Sequence, residues 1–539
     1  MAEQLLMRIL PILQLLHVRI PFILCFIGPT SAAVAGPANR KWRPLGRAEA
    51  ITMDEQDPYV GAQSVRIVSV SLIWSDTASE RQTVTFASLG DAWGTRDFKF
   101  TCGADQSNAH LEIAGIGVGD AWSAMQPNDL GIDECLTLMP ILGVEPYITV
   151  TSGLGDANSA AEEVRYVNGP ASGKWGAKRA MNGHPEPYRV KYWNIGDEPC
   201  GWWQIGKTTL DYFMLKHKAF AASMRSADPT ITLIASGAMP DQLHPPDAND
   251  NASLSSKAHK FGTEEDRTGG LIAKAWGTFD AITEHWYDRA EQRPDAPAED
   301  ELLEFIRVPS NQVRMKAEEW AIHQHRFPAL KQQNIALVID EYAYLGAPVD
   351  LKLSLAYSMV LQEMLRHSDF LKVAAFTMGI SALDITPTAA TLNSTSVVFK
   401  LYGEHFGEGT IPVAVEGQTP QPAPKSPLGF DHPQVRAGSP THPLDIIAGL
   451  SADGATLKIG IVNPADRVQW LAIDLQHKRL EGQGREWRVT GATLQAASKV
   501  GALPGVTVTS HRARPLTRPL KIEPASTTVL EYPMRRTGI

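Results

Sequence analysis

Between about residues 122 and 410, short apolar runs alternate with longer amphipathic stretches, and this rhythm limits the possible folds most. The runs are "VEPYITV", "RVKYWNI", "ITLIASG", "FDAITEHWY", "IALVID" and "KVAAFTMGI". Helical patterns such as "TTLDYFMLKHKAFAASMRSA" and "NQVRMKAEEWAIHQHRF" lie between them. Strands that alternate with helices form parallel βα units, because a parallel neighbour needs a long crossover connection. The sequence therefore predicts an α/β chain with a (β/α)8-type barrel. Only six such strands are found from residue 145 onward, so the barrel is expected to lack its first strands.

The flanks read differently. Residues 62–119 alternate apolar and polar positions in short runs ("SVRIVSVSLIWS", "RQTVTFASL", "AHLEIAGIGVG"), which predicts an antiparallel β-sandwich. Pro, Gly and Gln crowd "EGQTPQPAPKSPLGFDHP", so 411–434 reads as a linker. Period-2 alternation returns in 435–539 ("LDIIAGLSADGATLKIGIVNPA", "TTVLEYPM") and predicts a C-terminal β-sandwich. At the other end, Arg8 and Arg19 punctuate an apolar stretch that closes on Ala33-Val34-Ala35. This has the form of a secretory signal over 1–35, cleaved before Gly36 and followed by a connecting segment at 36–61. Secretion to an extracellular or periplasmic space is the expectation, with no membrane attachment after cleavage.

A chain of 539 residues exceeds one compact core, in keeping with this division. Its net charge of −9 argues against nucleic acid as a partner. Four cysteines with no C-x-x-C spacing give no metal-binding pattern, and neither metal nor cofactor is expected.

Two of the six runs end in paired acids: "RVKYWNIG" leads into Asp197-Glu198, and "NIALVID" into Asp340-Glu341. Catalytic groups of βα barrels sit at strand ends on one face. Two carboxylates converging there are the minimum apparatus for cleaving a glycoside. One protonates the leaving oxygen, and the other attacks the anomeric carbon or activates water. Aromatics that could pack on a sugar ring stand close by: Trp193, Trp202 and Trp203 around the first pair, Tyr342 and Tyr344 after the second. "EHWY" adds His285, Trp286 and Tyr287. Each feature also has a plainer explanation. An acid after a strand often caps the next helix, a lone histidine is often structural, and a tryptophan cluster is often core.

The stretches "LGIDECLTLMPILGVEPYITVTSGLGDANSAAEEVRYVNG", "GHPEPYRVKYWNIGDEPCGWWQIG" and "IALVIDEYAY" resemble the α-L-arabinofuranosidases of glycoside hydrolase family 51. The resemblance implies a retaining exo-arabinofuranosidase that releases terminal L-arabinofuranose from arabinan, arabinoxylan or arabino-oligosaccharides. Glu198 falls on the family's acid/base and Glu341 on its nucleophile. His285 and Tyr287 fall on its H-x-Y, and Trp203 and Gln204 on the W-Q after the acid/base. With Asp197 and Trp193, these form the implied sugar site. Family members also imply a homo-oligomer. Double displacement requires Glu198 to hold a proton beside an ionised Glu341. Asp197 stands where the family has asparagine, and the family's R-x-P-G-G-N segment is absent. These departures leave two alternatives: a carbohydrate-binding relative with impaired catalysis, or another retaining glycosidase of the same clan.

Overall fold

The computed structural model describes residues 131–535 apart from 240–266, 290–297, 378–381, 423–434 and the single positions 154, 202, 205, 387, 408, 477 and 478. Before residue 131 it describes the backbone of seven short strands only. The expected signal at 1–35 lies outside the described residues. The strands are β1 (Ile51–Asp54), β2 (Ser64–Ile67), β3 (Ser69–Ile73), β4 (Arg81–Thr85), β5 (His110–Ala114), β6 (Val118–Gly119) and β7 (Ala124–Met125). All their pairings are antiparallel, and β3 lies between β4 and β5. The antiparallel character agrees with the period-2 reading of 62–119.

The centre of the molecule is one sheet of six parallel strands in chain order. They are β8 (Tyr147–Val150), β9 (Tyr192–Ile195), β10 (Thr232–Ser236), β11 (Ala281–Arg289), β12 (Ala336–Leu345) and β13 (Leu371–Phe376). These are the six runs read from the sequence, and the fold is a partial (β/α) barrel. Among the described residues β8 and β13 end the sheet, where a closed eight-stranded barrel would continue.

The connecting helices are α1 (Ile132–Leu142), which precedes β8, then α2 (Ala157–Asn168), α3 (Lys174–Met181), α4 (Leu210–Ala227), α5 (Arg267–Lys274), α6 (Ala298–Arg326), the short α7 (Ala329–Gln332) and α8 (Leu351–Arg366). Asp156, Thr209 and Asp350 cap α2, α4 and α8 by accepting from backbone N–H groups of the first turn. The sheet is covered on both faces, which is why its strands read as near-continuous apolar runs. Tyr147, Ile234, Ala281, Val338 and Val373 form the inner cluster. Their chain neighbours Leu233, Ile282 and Leu337 point outward to the helices.

After β13 come a hairpin of β14 (Leu383–Thr386) and β15 (Ala389–Leu392), then helix α9 (Ser394–Phe406). The C-terminal region holds β16 (Ile411–Val413), β17 (Asp445–Leu450), β18 (Thr456–Asn463), β19 (Gln469–Leu471), β20 (Arg485–Gly491), β21 (Val506–Arg512), β22 (Leu520–Ile522) and β23 (Ser526–Pro533). Six of these form an antiparallel sheet in the order β16-β17-β18-β23-β20-β21, and β19 pairs with β22 separately. The predicted linker at 411–434 needs correction at its start. Residues 411–413 are an edge strand of this sheet, and Gln421 is buried, donating to the Ser439 and Leu444 carbonyls. Pro412 is tolerated there because an edge strand can spare a donor. Residues 423–434 lie outside the described residues.

Alternation along the C-terminal strands feeds two different cores. Ile446, Ile459, Ile461 and Leu530 face a cluster shared with β22, whereas Ile447, Val462 and Val529 join the large core around α8 and α9. Charge also bridges this junction. Arg366 at the end of α8 binds Glu363 at 2.6 Å and hydrogen-bonds Asp445 of β17, and both carboxylates are fully buried. His367 and Arg314 reach Glu363 at 3.0 and 3.4 Å. Burial alone would raise the Glu363 carboxyl, but the Arg366 charge and the donors from His367 and Gly438 outweigh it and hold it down at about 2.

Candidate active site

Period-2 geometry decides which residues of β9 reach the interior. Asn194 points inward, where its amide donates to the Gly196 carbonyl at 2.8 Å and to Asp340 Oδ2 at 3.4 Å. Trp193 therefore points the other way. It is fully buried against α2 and α4 side chains, and its indole donates to the Val190 carbonyl. The expectation that Trp193 contacts sugar is corrected: it is a core residue. Trp286, Tyr342 and Tyr344 likewise pack into the helix-facing core, with Trp286 and Tyr342 stacked 5.3 Å apart.

The chain turns sharply after β9. Gly196 has φ +83°, and a Cβ there would meet Ser152 Oγ at 2.2 Å, so only glycine fits. Glu198 itself lies in the left-handed region at φ 40°. That conformation costs a non-glycine residue about 1 kcal/mol or more. Gly201 leaves room for the Trp203 ring, whose indole N–H donates to Glu198 Oε2. Gln204 donates to Asp197 Oδ2 at 3.0 Å and more weakly to Glu198 Oε2 at 3.4 Å.

On β12 the regular alternation fails, and the failure is useful. Thr283 of β11 pairs with Val338, but His285 pairs with Glu341, so β12 carries one extra residue over that interval. This bulge turns both Asp340 and Glu341 toward the interior, where strict alternation would admit one of them. Tyr287 donates its hydroxyl proton to Glu341 Oε2.

His285 is the hub. Its Nδ1 lies 2.9 Å from Glu198 Oε1 and 3.5 Å from Glu341 Oε2. Its Nε2 lies 3.0 Å from Asp340 Oδ1 and 4.0 Å from Asp197 Oδ1. Because one nitrogen touches both glutamates, the two distances together cap the separation of those oxygens at 6.4 Å. The His285 side chain is 4 % exposed and Glu341 also 4 %, with Glu198 at 14 %. Tyr147 of β8 closes the far side by donating to Asp340 Oδ2 at 2.7 Å.

Four carboxylates around one imidazole set the electrostatics. Burial opposes charge on His285, but the Glu341 and Asp340 carboxylates outweigh it and hold the ring protonated well above its usual range. Burial and the Asp197 charge push Glu341 well up. Burial and Glu198 push Asp197 up to about 7. Burial would raise Glu198 too, but the hydrogen bond and charge of His285, with the Trp203 and Gln204 donors, bring it below the ordinary value. The His285 ring lies closer to Glu198 than to Glu341, which is why Glu198 is lowered while Glu341 stays raised.

Beside the cluster opens a small cleft lined by Thr151, Ser152, Gly153, Asp197, Pro199, Gln204 and Gly206. Asp197, His285 and Glu341 each present a potential ligand atom within 4.8 Å of the others, a donor set suited to a divalent cation. In the resting site His285 instead pairs with the surrounding acids. Glu198, Glu341, Asp197, His285, Tyr287, Trp203 and Gln204 all meet here as the sequence predicted. Tyr147, Asn194 and the inward turn of Asp340 escaped that reading. Tyr147 stands at an alternating position in "PYITV" that cannot be told from core.

A partial (β/α) barrel that gathers paired acids at its strand ends has the architecture of the barrel glycoside hydrolases. The "Alpha-L-arabinofuranosidase 1 domain" family matches residues 96–288. A probable α-L-arabinofuranosidase C of Aspergillus clavatus is 36 % identical over 133 residues, 23 % of this chain and 26 % of that protein. An intracellular exo-α-(1→5)-L-arabinofuranosidase of Acetivibrio thermocellus is 24 % identical over 280 residues, 49 % of this chain and 52 % of that one. The chain thus spans about a quarter to a half of the length of these relatives. In structure, the arabinose complex of the Thermotoga maritima α-L-arabinofuranosidase aligns with a TM-score of 0.60 at 22 % identity, covering 76 % of this chain and 80 % of that one. The family 51 enzyme of Thermotoga petrophila aligns with the same TM-score at 23 % identity and the same coverage. Over these stretches the chain is similar to α-L-arabinofuranosidases, and it shares its fold with family 51 structures.

Proposed function

We propose that this protein is a retaining exo-α-L-arabinofuranosidase acting on terminal L-arabinofuranose of arabinan, arabinoxylan or arabino-oligosaccharides. The observation that carries this reading is the single His285 nitrogen in reach of both Glu198 and Glu341. The cap of 6.4 Å on their facing oxygens accommodates the roughly 5–5.5 Å spacing of a retaining pair. Glu341 attacks the anomeric carbon, steadied by the Tyr287 hydroxyl, while Glu198 protonates the departing oxygen. Glu198 then takes a proton from water, which releases arabinose from the ester. Asp197, with its pKa near 7, offers the sugar either a donor or an acceptor according to pH.

The test is hydrolysis of p-nitrophenyl α-L-arabinofuranoside by residues 36–539, with the anomer of the first product read by NMR. Turnover with retention, lost in Glu198→Ala and Glu341→Ala, is the expected result. A folded chain with no turnover that still binds arabinan would favour the impaired-relative reading, which Asp197 and the burial of Glu341 support. Export through the 1–35 leader and self-association belong to the same proposal. A secreted protein that begins at Gly36 and elutes above monomer mass would support them. No described helix is long and apolar enough to cross a membrane.

A further inference from the structure

We propose that Asp197, His285 and Glu341 form a binding site for a divalent transition-metal cation of the zinc class, and that cation and sugar exclude one another there. Each of the three offers a ligand atom within 4.8 Å of the others, and their side chains are 3 %, 4 % and 4 % exposed. One imidazole with two carboxylates is a donor set that zinc takes, with a fourth position left to water. Ligands about 2.0–2.2 Å from one centre stand up to about 4.4 Å apart. A slight closure by side-chain rotation therefore brings the three atoms onto one ion.

The neighbouring polar atoms point to a cation independently of that triplet. Asp340 Oδ1 lies 3.0 Å from His285 Nε2 and so faces the same space, yet it has no hydrogen-bond partner. Asp340 is 1 % exposed, and its other oxygen is held by Tyr147 and Asn194. Glu341 Oε1 and Asn194 Oδ1 are likewise buried and unpartnered. All three are acceptors. A buried acceptor without a donor is costly, and a cation relieves it directly or through a water that it binds. Glu198 stays outside the ligand set because Trp203 and Gln204 already donate to it. Asp197 is the decisive member. Gln204 holds its Oδ2, which leaves Oδ1 toward His285 at 4.0 Å. Where the family resemblance leads one to expect asparagine, the acid supplies a second anionic ligand. The three residues come from the ends of β9, β11 and β12, so no ligand spacing shows along the chain.

The test is calorimetric titration of the full chain, first stripped with a chelator, with zinc chloride. One zinc per chain is expected to bind. Affinity should fall about a hundredfold or more in Asp197→Asn and in Glu341→Gln, since losing a ligand costs at least as much as losing its support. No binding, or binding that either folded variant keeps, overturns the proposal. A variant that fails to fold by circular dichroism is replaced by His285→Gln, for which the same loss is expected. Exclusion of the sugar rests on the arabinofuranosidase reading. Zinc should raise KM for p-nitrophenyl α-L-arabinofuranoside and leave kcat unchanged, and inhibition confined to kcat overturns that part. A folded chain that binds zinc without turnover sinks the parent reading and keeps the site, whereas turnover without zinc binding sinks the site alone.

Discussion

Two buried clusters of acid and base, built from the same kinds of residue, differ in the cation that holds them. At the junction of α8 with β17, a guanidinium faces Glu363 and Asp445 with Arg314 and His367 in support. There Glu363 is held down at about 2, while burial leaves Asp445 raised. At the strand ends, one imidazole faces Asp197, Glu198, Asp340 and Glu341, and two of the four acids are pushed up. A permanent cation that reaches two carboxylates cannot give up its proton and joins elements. One exchangeable cation among four carboxylates leaves protons to move, which is the condition for acid–base chemistry.

The sharpest way to break this contrast is to remove one acid from the strand-end cluster. Glu341→Ala should cost on the order of 10⁴-fold or more in kcat/KM, while thermal melting shows no loss of stability, since an excess carboxylate has gone. Glu198→Ala should cost ~10²–10⁴-fold with poor leaving groups and recover in the first step with a dinitrophenyl leaving group. Next in size is Arg366→Met. It strands Glu363 and Asp445 without their cation and should destabilise the fold by about 3–5 kcal/mol in urea titrations, with the barrel and the C-terminal sheet both affected.

The pH dependence of stability should separate Glu363 from Asp197 by sign. Glu363 lies below its ordinary 4.5, so it contributes stability above pH 4.5 that is lost as pH falls toward 2. Asp197 lies above its ordinary 3.8, so it favours the fold below pH 3.8 and loses that contribution as pH rises through 7. Melting temperatures across pH 2–8 should therefore flatten on the acid side in Glu363→Gln and on the neutral side in Asp197→Asn. Crossed outcomes would refute the assignment. The smallest effect is expected at an exposed pair. Lys274 and Asp211 lie 3.5 Å apart on α5 and α4, with side chains 52 % and 83 % exposed. Lys274→Ala should move stability by less than about 0.5 kcal/mol.

How much of this was legible in the sequence follows from how local each cause is. The six parallel strands could be read because strands covered on both faces are apolar throughout. Glu198 and Glu341 could be read because they close those runs. Trp193 stands beside the acids in sequence but not in space, because one step along a strand reverses a side chain's direction. The inward turn of both Asp340 and Glu341 depends on a bulge that leaves no compositional mark. Tyr147 with Asp340, and Arg366 with Asp445, join residues far apart in the chain, where a single sequence carries no pairing signal.

The division of the C-terminal strands between two cores has a mechanical consequence. Ile447, Val462 and Val529 pack with the residues of α8 and α9 that also back the parallel sheet. Neither part can be peeled away without opening the other's interior to water. Heat or denaturant should release both in one step. A protease that cuts between α9 and β17 should leave two fragments that travel together until they unfold, since the hinge would be severed while the clasp stays shut.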